Sequence, residues 1–135
     1  MKSIRIGVVA VALTVVIAGV GGLALCAQEW MQADSQATKV LLDNARVRVV
    51  EVTLAAREKS PVHTHPANFG YLLTGGKARV SYVGGESQEF ELKKGEVVWS
   101  DPEGPHTIEN MTGGTLSFLL VELKDYPYTP KAASR

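Results

Sequence analysis

The chain has three histidines, His63, His65 and His106, and they fall in two short segments. His63 and His65 are two residues apart, a spacing that puts both side chains on one face of a β-strand. Two imidazoles on one face can grip a single metal ion. His106 follows a Pro/Gly-rich stretch and opens an apolar-polar alternation, so a neighbouring strand can bring it in as the third ligand. Three protein ligands with positions left open is the pattern of a reactive metal site, whereas a structural site is closed. Imidazole suits several first-row ions, so the expected cofactor is one divalent ion of Fe, Mn, Ni, Zn or Cu.

Strands must position these ligands, and the sequence is rich in strand signals. Short apolar runs with period-two alternation are separated by glycine and proline, and the chain has 13 glycines. Strands are expected at 39–42, 46–54, 68–74, 77–83, 88–92, 96–100, 106–111 and 115–123. The alternation changes parity near Val49 and Val50, which points to a bulge or to burial on both faces. Gly84-Gly85-Glu86-Ser87 reads as a hairpin connection, and 101–105 as a loop. No segment after residue 27 carries a long 3.6-residue period, so the fold class is all-β: a sandwich, barrel or jelly roll.

Residues 63–75 read His-Thr-His-Pro-Ala-Asn-Phe-Gly-Tyr-Leu-Leu-Thr-Gly, and residues 95–110 read Gly-Glu-Val-Val-Trp-Ser-Asp-Pro-Glu-Gly-Pro-His-Thr-Ile-Glu-Asn. In this order the two segments resemble the paired motifs of the cupin superfamily, specifically its small single-domain members. The resemblance covers roughly 39–123 and implies a jelly-roll β-barrel with the metal on His63, His65 and His106. Gly95, His106 and Asn110 stand at the motif's separations, whereas Pro102 and Gly104 are each displaced by one. The family commonly carries a glutamate ligand where this chain has Asn68. Asn68 can coordinate through its neutral amide oxygen, support the ligands from behind, or simply start a strand. Without a carboxylate ligand a three-histidine centre keeps the ion's full positive charge, which favours an anionic partner or a water made more acidic by the metal. If Asn68 faces the metal, so does Gly70, where the missing side chain either leaves room for a ligand or marks a bulge or a close strand contact; Gly70, Tyr71 and Trp99 are the substrate-binding candidates. Trp99 and Phe118 are otherwise expected in the core, and Glu109, three residues past His106, is expected to face away. Asp101 and Glu103 read as solvated loop charges.

Two functions of different class follow. One is an enzyme resembling metal-dependent dioxygenases, acting on a small molecule. The other is a module that binds or senses a metal, sugar or metabolite without changing it. No separate catalytic acid or base stands out. One domain of 135 residues, with 14 basic and 14 acidic residues, gives no basic excess for nucleic acid. The partners expected are a small-molecule ligand and, as an assembly, a homodimer.

The N-terminus differs from the rest. Lys2 and Arg5 precede an uncharged run from Ile6 to Leu25, and Gln28 and Glu29 restore polarity. Residues 1–27 read as a secretory signal peptide, with a retained membrane anchor over 6–27 or lipidation at Cys26, the only cysteine, as the alternatives. Residues 28–38 are a linker, 39–123 the barrel and 124–135 a tail, in which Tyr126 and Tyr128 are placed to cover a barrel edge. An exported protein, periplasmic or secreted, is expected, with contact to a membrane only through an uncleaved or lipidated N-terminus.

Overall fold

The apolar-polar alternation gives strands throughout. The computed structural model describes residues 35–130, and every regular element among them is a strand: β1 (Thr38–Asp43), β2 (Val47–Leu54), β3 (His63–His65), β4 (Asn68–Leu72), β5 (Gly76–Tyr82), β6 (Ser87–Leu92), β7 (Val97–Ser100), β8 (Glu103–Asn110) and β9 (Leu116–Leu123). The signal or anchor reading of 1–27 and Cys26 fall outside the described residues. The strands form a five-stranded sheet, β1-β2-β9-β4-β7, and a four-stranded sheet, β3-β8-β5-β6, with antiparallel pairing throughout. This is the all-β jelly roll expected.

Two differences from the expected elements bear on the site. His63–His65 is a strand of its own, paired with β8. β8 begins at Glu103, inside the stretch read as a loop. Pro and Gly lowered the apparent strand propensity there, yet pairing with β3 overrides local preference.

Register arranges the inner face of the five-stranded sheet in rows. Leu54 pairs with Leu116. Val52 pairs with Phe118, and Phe118 with Leu72. Val50, Leu120, Gly70 and Val98 make the next row, and Arg48, Glu122, Asn68 and Ser100 the last. Partners directly opposite share a face, so one end of the interior is apolar and the other polar. Val50, Val52, Leu54 and Leu116 are fully buried. Ile108 and Phe118 touch both core clusters and join them. β2 pairs with β9 in unbroken register, with the inward set running Arg48, Val50, Val52, Leu54 and the alternate residues only half-buried; the bulge lies opposite, in β1 between Val40 and Leu42.

Turns close where glycine permits them. Gly84 (φ 70°) and Gly95 (φ 82°) take the left-handed backbone that side chains disfavour, in the β5–β6 and β6–β7 connections.

Asn110 does structural work at the apolar end. Its amide Nδ2 donates to the carbonyls of Ala55 (2.9 Å) and Gly114 (2.7 Å), and its Oδ1 accepts from Thr112 N (2.9 Å) and Thr112 Oγ1 (2.6 Å). The residue is fully buried, so truncation strands the groups it satisfies in two loops. Asn110→Ala is expected to cost ~2–4 kcal/mol of stability, since each buried polar group left unpaired costs about 1–3 kcal/mol. Urea unfolding checks this, and a loss below about 1 kcal/mol would show that the loops hold without Asn110.

Candidate metal centre

β3 and β8 bring the three histidines together. His63 pairs directly with His106, and His106 with Tyr82 of β5, so the three side chains form one inward row across the four-stranded sheet. His65 pairs with Glu103. Three residues of β3 therefore span four of β8. That extra residue is a bulge, and it turns both Glu103 and His106 inward although they are an odd number apart.

All three imidazoles are buried, and their potential ligand atoms lie within 4.8 Å of one another. Ring centroids are 4.8 Å (His63–His65), 4.5 Å (His63–His106) and 5.2 Å (His65–His106) apart. Each Nδ1 has an acceptor at 2.8 Å: Pro61 O for His63, the Glu122 carboxylate for His65 and Gly104 O for His106. Donation from Nδ1 fixes the tautomer and puts the lone pair on Nε2, as a metal-ligating histidine requires. Burial, reinforced by His65 and His106, pushes the His63 pKa down to about 3, and burial also lowers that of His106. Neutral imidazoles need lose no proton to bind a cation. The donor set fits a divalent first-row ion: three nitrogens from one side, with the other side facing the interior.

Glu122 went unnoticed in the sequence. It is buried on β9, and its second oxygen accepts from Arg48 Nη1 at 2.9 Å. A chain Arg48–Glu122–His65 thus runs from the five-stranded sheet to the four-stranded one. The signal was available in phase: Glu122 continues the inward set Leu116, Phe118, Leu120, and Arg48 the inward set of β2.

The histidines stand at the head of a cavity of about 420 Å³. Its walls include Val52, Leu72, Val80, Phe118 and Leu120, and it reaches Phe90, Val98 and Trp99 on the edge strands. Polar groups gather at the histidine end: Asn68, Tyr82, Ser100 and Glu103. Asn68 is buried and lines this space, with Nδ2 donating to Pro66 O (3.0 Å) and to Glu103 Oε2 (3.4 Å), so Oδ1 is the atom that could coordinate. Tyr82 donates its hydroxyl to Glu103 Oε1 at 2.9 Å; burial first, then Glu103, pushes its pKa up to about 12 and keeps it a donor.

The other sequence candidates divide. Gly70 lines the cavity, and a Cβ there would meet only Leu119 O, at 3.9 Å, so the missing side chain does leave room. Tyr71 is 42% exposed and is not among the cavity-lining residues. Trp99 is 57% exposed on an edge strand, with its indole donating to Asp101, and is not a core residue as expected; Phe118 is. An edge strand leaves one flank of its large side chains without neighbours. Glu109 faces away, toward Arg79, as its spacing predicted. Glu103, read as a solvated loop charge, is half-buried and turned inward by the bulge. Tyr128 packs over Gly104 at the start of β8, whereas Tyr126 is 63% exposed.

Comparison with known proteins agrees with this geometry. A family model for the cupin domain matches residues 50–122. The structure is similar to that of a cupin domain from Bordetella pertussis Tohama I, with 23% identity, a TM-score of 0.60, and 64% of this chain and 91% of the other covered. It is also similar to an RmlC-like cupin family protein with a double-stranded β-helix fold from Methanocaldococcus jannaschii, with 18% identity, a TM-score of 0.53, and 67% and 83% covered. A conserved protein with a double-stranded β-helix domain from Klebsiella pneumoniae gives 17% identity, a TM-score of 0.54, and 71% and 84% covered. These likenesses establish the fold. No protein of curated function matches the chain significantly. With the family model matching more than half of the chain and three histidines gathered inside a jelly roll, the chain belongs to the cupin domain family.

Proposed function

We propose that this cupin holds one divalent metal ion on His63, His65 and His106 and uses it in dioxygenase-like chemistry on a small, apolar-bodied molecule. The observation that carries the reading is the set of three buried imidazoles, each fixed by an acceptor at Nδ1, at the head of a cavity of about 420 Å³. A redox-active ion such as Fe(II), with positions open, would supply a place where dioxygen and a substrate meet. The protein's part is to hold the ligand nitrogens, exclude water with the apolar walls, and orient the substrate's polar end toward Tyr82, Asn68 and Glu103. Gly70 supports the size of the substrate, because it leaves the wall beside the histidines open. Export also fits: Cys26 is the only cysteine of the chain, so the domain itself offers no thiol to an oxidising compartment.

The second reading, a binding or sensing module, draws on one specific feature. Of the acids lining the cavity, Glu91 and Glu96 are exposed and lie toward the β6–β7 end, and Glu103 is already engaged by two donors. No group is thereby committed to general acid or base work. Reconstitution with Fe(II), Mn, Ni, Zn and Cu in turn, followed by elemental analysis, tests the centre; one ion per chain is expected with at least one of them. Clearly substoichiometric metal in every case would remove the centre and leave the fold. Fe(II)-dependent oxygen uptake with candidate substrates separates enzyme from binding module.

A further inference from the structure

The charges around the three histidines do not balance, and the imbalance has one source. Glu122 is matched by Arg48 at 2.9 Å. Among the described residues, Glu103 has only neutral donors: the Tyr82 hydroxyl on Oε1 (2.9 Å) and the Asn68 amide on Oε2 (3.4 Å). The β8 bulge sets Glu103 beside His65 on the inner face, and it lines the same cavity as all three histidines. It is not, however, within the cluster of potential ligand atoms that the histidines form. Tyr82 and Asn68 come from different sheets and hold the carboxylate from two directions. A carboxylate has about four lone-pair sites, so with one donor on each oxygen Glu103 can still accept from a ligand.

We infer that Glu103 is a specificity-determining residue of the metal centre: held off the imidazoles by Tyr82 and Asn68, it makes the open side take a neutral, hydrogen-bond-donating head group, such as a hydroxyl, on an apolar body, and turn small bare anions away. The inference rests on the metal-centre reading above and reverses one consequence drawn from the sequence. Three neutral ligands and a divalent ion alone would favour an anion. A carboxylate at the edge of the same space offsets part of that charge and offers an acceptor to a donor. The position is one the family pattern gives no reason to single out, because the displaced Pro102 and Gly104 put Glu103 where the motif's glycine would stand. The apolar walls formed by Leu72, Val80, Phe118 and Leu120 supply the remainder of the fit.

The test uses the protein loaded with Co(II), whose visible spectrum reports ligand exchange. Azide, a bare anion, and benzyl alcohol, a neutral, non-chelating hydroxyl donor on an apolar body, are titrated at fixed pH and ionic strength against wild type and Glu103→Gln. Glutamine keeps the shape and an acceptor oxygen and removes the charge. Wild type is expected to bind benzyl alcohol more tightly than azide, and Glu103→Gln to bind azide ~10-fold more tightly than wild type, the scale of one partly screened charge nearby. If Glu103→Gln fails to fold by circular dichroism, the wild-type preference alone decides. Azide affinity unchanged in Glu103→Gln, or azide preferred by wild type, would overturn the inference while the centre stands. Failure of wild type to bind Co(II) would overturn the centre and this inference together.

Discussion

Replacing His106 by alanine is expected to remove measurable metal binding at concentrations that saturate the wild type. His106 supplies one of three clustered imidazoles and joins β3 to Tyr82 across β8. Two imidazoles two residues apart cannot enclose an ion from three directions. Disturbing only the groups behind a ligand commonly costs ~10–100-fold in affinity, so deleting a ligand should exceed that range. Asn68→Ala is the comparison. Asn68 already donates to Pro66 O and Glu103, and only its neutral Oδ1 is left to face an ion. Its loss should cost far less. Asn68→Glu is the informative companion, because position 68 lines the cavity. A carboxylate there would crowd Glu103 and lie opposite Glu122 in the register, so the metal-free protein should lose stability while the loaded protein gains affinity. Isothermal titration of the wild type and three variants with one metal at one pH checks all of this. Equal affinities for wild type and His106→Ala would mean that the histidine cluster is not the site.

The fold was legible because alternation is a strong signal when one face of every strand is buried. Val50, Val52 and Leu54 on β2, and Leu116, Phe118 and Leu120 on β9, announced their strands and inner faces together. The histidines were legible for a second reason: three such residues in two segments, at the family's separations, leave few other arrangements. What the sequence hid was polarity in apolar phase. Arg48 and Glu122 each continue an inward set, yet a charge at such a position looks like the end of the pattern when one strand is read alone. Only the pairing of β2 with β9 shows that the two charges meet. Glu103 was hidden by a bulge. Counting from His106 gives it the wrong parity, and the bulge that corrects the parity exists only once β3 lies against β8. Trp99 failed differently, because composition does not say which strand ends up at a sheet edge.

The buried pair that the sequence hid carries the second large effect. Glu122→Ala is expected to destabilise the metal-free protein by about 3 kcal/mol or more, since removing one partner of a buried ion pair leaves the other uncompensated. The side chain of Glu122 is 2% exposed and that of Arg48 15%, so water can do little for the stranded guanidinium. Asp43, 3.3 Å from Arg48 Nε, absorbs part of the loss, although it is itself 44% exposed. The same substitution removes the acceptor of His65 Nδ1–H, which frees the imidazole to turn and to change tautomer. Metal affinity should therefore fall as well, by ~10–100-fold. A loss of stability alone could account for weak binding, so a second variant is needed to separate the two. Arg48→Met combined with Glu122→Met replaces the pair by apolar side chains of similar length, an exchange that is often neutral or stabilising. Urea unfolding of the metal-free double variant should return to near the wild-type midpoint, while its metal affinity stays low because no acceptor faces His65. If metal affinity recovered along with stability, Glu122 would be a packing residue with no hold on the centre. If affinity stayed low in a protein of wild-type stability, orienting His65 would be what this carboxylate contributes to the centre.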